Sequence, residues 1–145
     1  MSVDGLGDSE VAAILLSAQT FAVVGASANA VRPVYGVMEF LIARGYAVHP
    51  INPGLAGQSL LGRSVYASLA GAPAPIDVVD IFRNSDAAAA VVDEAIAEAT
   101  RLGIKTIWMQ IGVANEAAAA RARQAGLTVV MDRCPKIELA RLRLG

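Results

Sequence analysis

TFAVVGASANAVRPVYGVMEFLIARGYAVHPINPG, Thr20 to Gly54, spells out one strand–loop–helix–strand unit. Thr20 to Gly25 is apolar, β-branched and uninterrupted, as in a strand buried on both faces. A loop runs from Ala26 to Arg32. Pro33 suits a first helical position, where its missing N–H costs nothing. Val34, Val37, Met38, Leu41 and Ile42 fall at i, i+3, i+4, i+7 and i+8, one face of a helix. Gly45 ends that helix and Tyr46 opens the next strand. A helical crossover between consecutive strands makes them parallel.

The cadence recurs further along. Val91, Ala95, Ala99 and Leu102 form one helical stripe that closes at Gly103, and Ile104–Gln110 reads as strand. Another helix closes at Gly126 before Leu127–Met131. Glycine just past a helix end supplies the left-handed residue that stops it. Five apolar runs result: Phe21–Gly25, Ala47–Ile51, Val78–Phe82, Thr106–Gln110 and Leu127–Met131. The pattern predicts an α/β fold, a doubly wound parallel sheet of about five strands in three layers, α/β/α. Asp8 or Ser9 is expected to cap a first helix reaching about Ala18. Leu55 to Pro75, rich in Gly and Pro, reads as loop with short turns. Pro135–Leu144 is expected to close the fold as a short helix with Ile137, Leu139 and Leu142 inward.

At 145 residues the chain is one domain by length, 1–145, and large enough to bury a core unaided. Mean hydropathy is +0.51, yet no apolar run approaches the roughly 20 residues that span a bilayer. The first residues carry Asp4, Asp8 and Glu10 and no early basic residue, unlike a secretory signal. A single cysteine excludes an internal disulfide framework and suits a reducing cytoplasm. A net charge of −1 with mixed signs gives no field for nucleic acid, and three Phe, three Tyr and one Trp make no base-stacking platform.

In an open parallel sheet the loops at the carboxyl ends of the strands converge on one crevice, where ligands bind. Five such loops carry the candidate site. Gly25-Ala26-Ser27 lets a ligand approach the backbone and offers N–H groups to phosphate, or is a plain turn. It matches neither GxGxxG nor GxxxxGK[ST]. Arg32 is a phosphate clamp or a solvated surface arginine. Asn52-Pro53-Gly54 stands where an NAD-binding domain would place an acid for the ribose; the lack of one disfavours NAD and permits a ribose that carries phosphate. Arg83 is a second phosphate or adenine contact, or a charge at a helix start capped by Asn84 or Ser85. Gln110 can hydrogen-bond a ligand amide and Gly112 can let that ligand pass, while Trp108 and Met109 read as core. Asp132 and Arg133 are expected to pair with each other. Cys134 reads as a buried structural cysteine more readily than as a nucleophile, since His49 is the only histidine and no base partner is visible. One Cys and one His make a zinc site improbable.

Taken in order, Val24-Gly25-Ala26-Ser27, Arg32-Pro33, Gly45-Tyr46, Asn52-Pro53, Val79-Asp80-Ile81-Phe82-Arg83, Trp108-Met109-Gln110-Ile111-Gly112-Val113 and Val130-Met131-Asp132-Arg133-Cys134-Pro135 resemble the stand-alone CoA-binding proteins. That family is similar to the N-terminal CoA-binding domain of the succinyl-CoA synthetase α subunit. The resemblance covers roughly Thr20 to Leu142. It implies a Rossmann-like fold that binds coenzyme A or an acyl-CoA. It implies that Gly25, Ala26, Ser27 and the helix after Arg32 face the diphosphate. Asn52 and Pro53 would border the adenosine, Phe82 and Arg83 the ligand's middle, and Gln110, Ile111 and Gly112 the pantetheine path. The chain departs at Val34, where family members often carry Ser. The synthetase's phosphorylated histidine and ATP-grasp machinery are absent, so ligase activity does not carry over.

With no recognisable acid, base and nucleophile set, the expectation is a cytoplasmic, non-catalytic binding protein for CoA or acyl-CoA, with no nucleic-acid or membrane partner. Three alternatives stand beside it. One is an NAD(P)-binding oxidoreductase or nicotinamide sensor on the same fold. Another is an interaction subunit, homo-oligomeric or within a larger CoA-ligase-like assembly. The third is redox capture of the CoA thiol by Cys134.

Overall fold

Phe21 and Val23 point to one side of the first strand and Ala22 and Val24 to the other, and all four are buried. That alternation, repeated along the strands, divides the core into two clusters. The computed structural model describes residues 3–144. In chain order the elements are α1 (Asp8–Ser17), β1 (Thr20–Val24), α2 (Pro33–Ala43), β2 (Ala47–Ile51), β3 (Ser59–Leu60), β4 (Arg63–Ser64), β5 (Val78–Ile81), α3 (Ser85–Leu102), β6 (Thr106–Met109), α4 (Glu116–Gln124), β7 (Thr128–Val130) and α5 (Pro135–Arg141). The main sheet has the order β2-β1-β5-β6-β7 and every pairing in it is parallel.

Val11, Leu15, Val34, Val37, Met38, Leu41 and Leu139, from α1, α2 and α5, pack on the face of Phe21, Val23, Val78 and Trp108. Val91, Val92, Ala95, Leu102, Ala118 and Ala122, from α3 and α4, pack on the face of Ala22, Val24, Val79, Ile81 and Met109. The result is the three-layer, doubly wound α/β/α fold. Gly103 stops α3 with φ +80. Trp108 and Met109 are fully buried, as core residues should be.

The departures from expectation are local. Four of the strands end one residue earlier than the apolar runs, so Gly25, Phe82, Gln110 and Met131 lie just past them. β7 is Thr128–Val130, since Leu127 and Met131 lie outside the ladder. Gly7, and neither Asp8 nor Ser9, is the N-cap of α1, and the Glu10 carboxylate accepts its N–H at 3.3 Å. Residues 55–75 are mostly loop and turns, as expected, with a short β3–β4 hairpin added. The segment after β4 is tied to the edge of β2, where the Tyr66 N–H donates to Pro50 at 3.0 Å and the Asn52 N–H to Tyr66 at 2.9 Å, and the turn at Leu69–Gly71 packs against α3. Ile137 faces outward, 51% exposed, while Leu139 turns inward. Asp132 and Arg133 do not pair. Arg133 joins Asp4 at 2.9 Å and Glu138 at 2.7 Å, and Asp132 accepts the Gly112 N–H at 2.8 Å.

Candidate functional site

The chain runs from β1 out to β2, then returns to place β5 on the other side of β1. That reversal is the switch point, and the crevice opens outside the carboxyl ends of β1 and β5, where the connections to α2 and α3 part to opposite faces of the sheet. Gly25 follows β1 with φ +91, and a Cβ there would lie 2.3 Å from the Phe82 carbonyl oxygen. Only glycine lets these two strand ends meet so closely.

Two cavities adjoin at Gly25. The larger, about 780 Å³, takes Gly25, Ser27, Arg32, Phe82, Gln110 and Ile111 of the predicted residues. The second, about 570 Å³, takes Gly25, Asn52, Pro53 and Arg83. Ala26 and Gly112 line neither. Ala26 is buried and its carbonyl accepts the Asn52 amide Nδ2 at 2.7 Å. Gly112 stands outside with φ +82, held to Asp132. Asn52 also accepts the Gly54 N–H at 2.7 Å, so its side chain latches the ends of β1 and β2 and shapes the second cavity.

The Ala26–Arg32 loop is ordered by its own side chains. Ser27 Oγ accepts the Asn29 N–H and Asn29 Oδ1 the Val31 N–H, each at 3.0 Å. This leaves the Ser27 hydroxyl hydrogen for another acceptor. Arg32 is the N-cap of α2 without a side-chain cap bond, and the first turn carries no acid. An unopposed helix N-terminus favours an anion. Among the described residues neither Arg32 nor Arg83 has an ion-pair partner.

In β5 and just past β6, buried polar atoms go without partners. Gln110 is 8% exposed and its Oε1 accepts nothing. Asp80 pairs in register with Val23 and Trp108 and is completely buried; neither carboxyl oxygen has a partner. Burial pushes its carboxyl well above the usual aspartate value, so the neutral acid is favoured. A buried acceptor without a donor costs about 1–3 kcal/mol, which a ligand N–H or O–H would recover at Gln110.

Cys134 lines the larger cavity as the buried N-cap of α5. His49 is in the edge strand with its ring edge-on to Tyr66, 5.7 Å between centroids, and desolvation lowers its pKa. Tyr66 packs on the α3/α4 side and Cys134 on the α1/α2/α5 side, so the sheet separates the thiol from the imidazole. Lys136, Val31 and Ile137 also line the larger cavity, and Ser68 and Glu94 the second. None of these five was singled out from the sequence as a ligand contact. Lys136 had a readable cue, since it sits in the first turn after Pro135. The others depend on how α3 and the loops dock. Among the described residues no cluster of three His, Cys, Asp or Glu can hold a metal, and no helix is long and apolar enough to cross a membrane.

The model of a family described as a CoA binding domain matches residues 19–140. The uncharacterized protein YneT of Bacillus subtilis (strain 168) is 32% identical over 129 residues, which are 89% of this chain and 91% of that one. A hypothetical protein from Pyrococcus horikoshii OT3 superimposes with a TM-score of 0.91 at 36% identity, covering 100% of this chain and 97% of its own. A dinucleotide-forming acetyl-coenzyme A synthetase 1 of Ca. Korarchaeum cryptofilum shares the fold at 24% identity and a TM-score of 0.64. The likeness covers 79% of this chain and 26% of that enzyme.

Proposed function

The chain belongs to the CoA-binding domain family, and from that premise we propose that it binds coenzyme A across the switch point without transforming it. The observation that carries the reading is the Gln110 Oε1 acceptor, buried and unpartnered in the wall of the larger cavity. The pantetheine arm of CoA is a diamide, and its N–H groups are the donors such an acceptor lacks. Other features support the same ligand. The Gly25–Ser27 loop and the α2 N-terminus suit the diphosphate. Arg32 and Arg83, on opposite sides of Gly25, suit its remaining phosphate charge. The second cavity, bordered by Asn52 and Pro53, suits the adenosine. Phe82 and Arg83 flank the middle of the ligand, and Gln110 and Ile111 the arm, with Gly112 outside it. The separation of Cys134 from His49 favours binding without chemistry.

Calorimetric titration of the full chain tests this directly. CoA is expected to bind one to one, dephospho-CoA more weakly, and NADH not at all. No heat with CoA at millimolar ligand would overturn the reading, and binding of NADH alone would favour the nicotinamide alternative.

A further inference from the structure

Resting on that reading, we infer that the bound form is an acyl-CoA, its aliphatic acyl chain covered by Val31, Ile111 and Ile137 at the mouth of the larger cavity. Five large apolar side chains are strongly exposed among the described residues: Val3, Leu16, Val31, Ile111 and Ile137. Single exposed aliphatics need no explanation. Three of these five, however, line one cavity. They arrive from separate segments: the loop before α2, the loop after β6, and α5. Val31 is 90% exposed, Ile111 54% and Ile137 51%. Ile137 leaves the core, although the apolar spacing of its helix would have taken it inward.

The cavity's polar groups are Ser27 and Arg32 toward the phosphate side, Gln110 in the wall and Lys136 in the first turn of α5. Ile111 directly follows Gln110, so an arm that satisfies Gln110 meets aliphatic surface at the next residue. At about 780 Å³ the cavity stands in the upper part of the roughly 300–1,000 Å³ range of ligand pockets, with room for more than a thiol terminus. A free thiol would leave the three side chains in water, whereas a chain of several methylenes would cover them.

The test titrates CoA, acetyl-CoA, butyryl-CoA and hexanoyl-CoA into the full chain. A fully buried methylene raises affinity about fourfold, so hexanoyl-CoA is expected to bind about tenfold or more tighter than CoA even with partial burial. The double variant Val31→Ser/Ile137→Ser, at two exposed positions, should flatten the series, so that hexanoyl-CoA binds little tighter than CoA. Equal or falling affinity from CoA to hexanoyl-CoA overturns the inference and leaves CoA binding standing. A double variant that changes only the sedimentation of a dimer overturns it too, by assigning the rim to a second copy. If neither CoA nor any thioester binds, the underlying reading falls with it.

Discussion

Thr20, at the amino end of β1, and Gln110, just past the carboxyl end of β6, belong to one sheet under opposite conditions. The Thr20 N–H donates to the Asp77 carboxylate at 3.0 Å, its carbonyl accepts the Asp77 N–H at 3.0 Å, and Asp77 also takes the Gln19 N–H at 2.9 Å. Nearby, Tyr46 donates its hydroxyl to Leu15 at 2.6 Å and Arg44 reaches the Leu144 carbonyl at 2.6 Å. Toward the carboxyl ends, among the described residues, Arg32 and Arg83 lack ion-pair partners, Gln110 keeps a bare acceptor and Asp80 two. Local rules that a fold satisfies at one end and breaks at the other mark where function has been built. Arg133 gives the contrast an edge. It too follows a strand end, yet it holds Asp4 and Glu138, so position alone does not make an arginine available.

The largest expected effect tests whether Asp80 is an unsatisfied group. Its folded pKa lies above the unfolded value, so the folded state binds the extra proton. That stability is fully present below the ordinary value of 3.8 and is lost as pH rises through the folded pKa. Within that window the loss approaches about 1.4 kcal/mol per pH unit. Urea unfolding at a series of pH values from 3 to 9 should show the native chain losing stability relative to Asp80→Asn as pH rises. Parallel curves would mean the carboxyl is solvated or paired after all.

Arg133→Met comes next. It removes the guanidinium from Asp4, whose carboxylate is buried and also takes the Met131 N–H at 3.0 Å, and from Glu138. Removing one partner of a buried ion pair costs about 3 kcal/mol. The denaturation midpoint should fall accordingly with CoA affinity retained, because Arg133 lines neither cavity. Arg32→Ala and Arg83→Ala should do the reverse. Each is expected to leave stability within about 0.5 kcal/mol and to weaken CoA by about 1–3 kcal/mol. If either arginine variant destabilises without touching affinity, the division between closed and open ends is wrong.

Much of this division could be read from the chain because its signals are local. Gly25 precedes a loop, Pro33 starts a helix, Gly103 stops one, and Trp108 sits in an apolar run. The open end was legible as strand-end loops, and nine of the eleven predicted residues line the paired cavities. What escaped depends on distance. Arg133 finds Asp4 across 129 positions, and no short-range pattern announces that. Asn52 lines the second cavity, but its latch to Ala26, 26 residues away, is announced by no local pattern. Ile137 follows apolar spacing, but α5 is only seven residues long and its docking decides which of its apolar side chains turns outward.

The smallest expected effect asks whether the two ends are independent. Arg101, in the last turn of α3, donates to the carbonyls of Leu69, Ala70 and Ala72 at 3.1–3.2 Å and pairs with Glu98 at 2.7 Å. Its side chain is nearly half exposed, so the ion pair adds little. The value of the residue lies in pinning the 69–72 turn. Arg101→Ala should cost about 1 kcal/mol, read as a shift in the urea midpoint. Ser68, beside that turn, lines the second cavity. If the closed end only supports the fold, CoA affinity in Arg101→Ala stays where it was. A loss of affinity comparable to that of Arg83→Ala would mean the turn positions the cavity wall, and the closed end would then be part of the site.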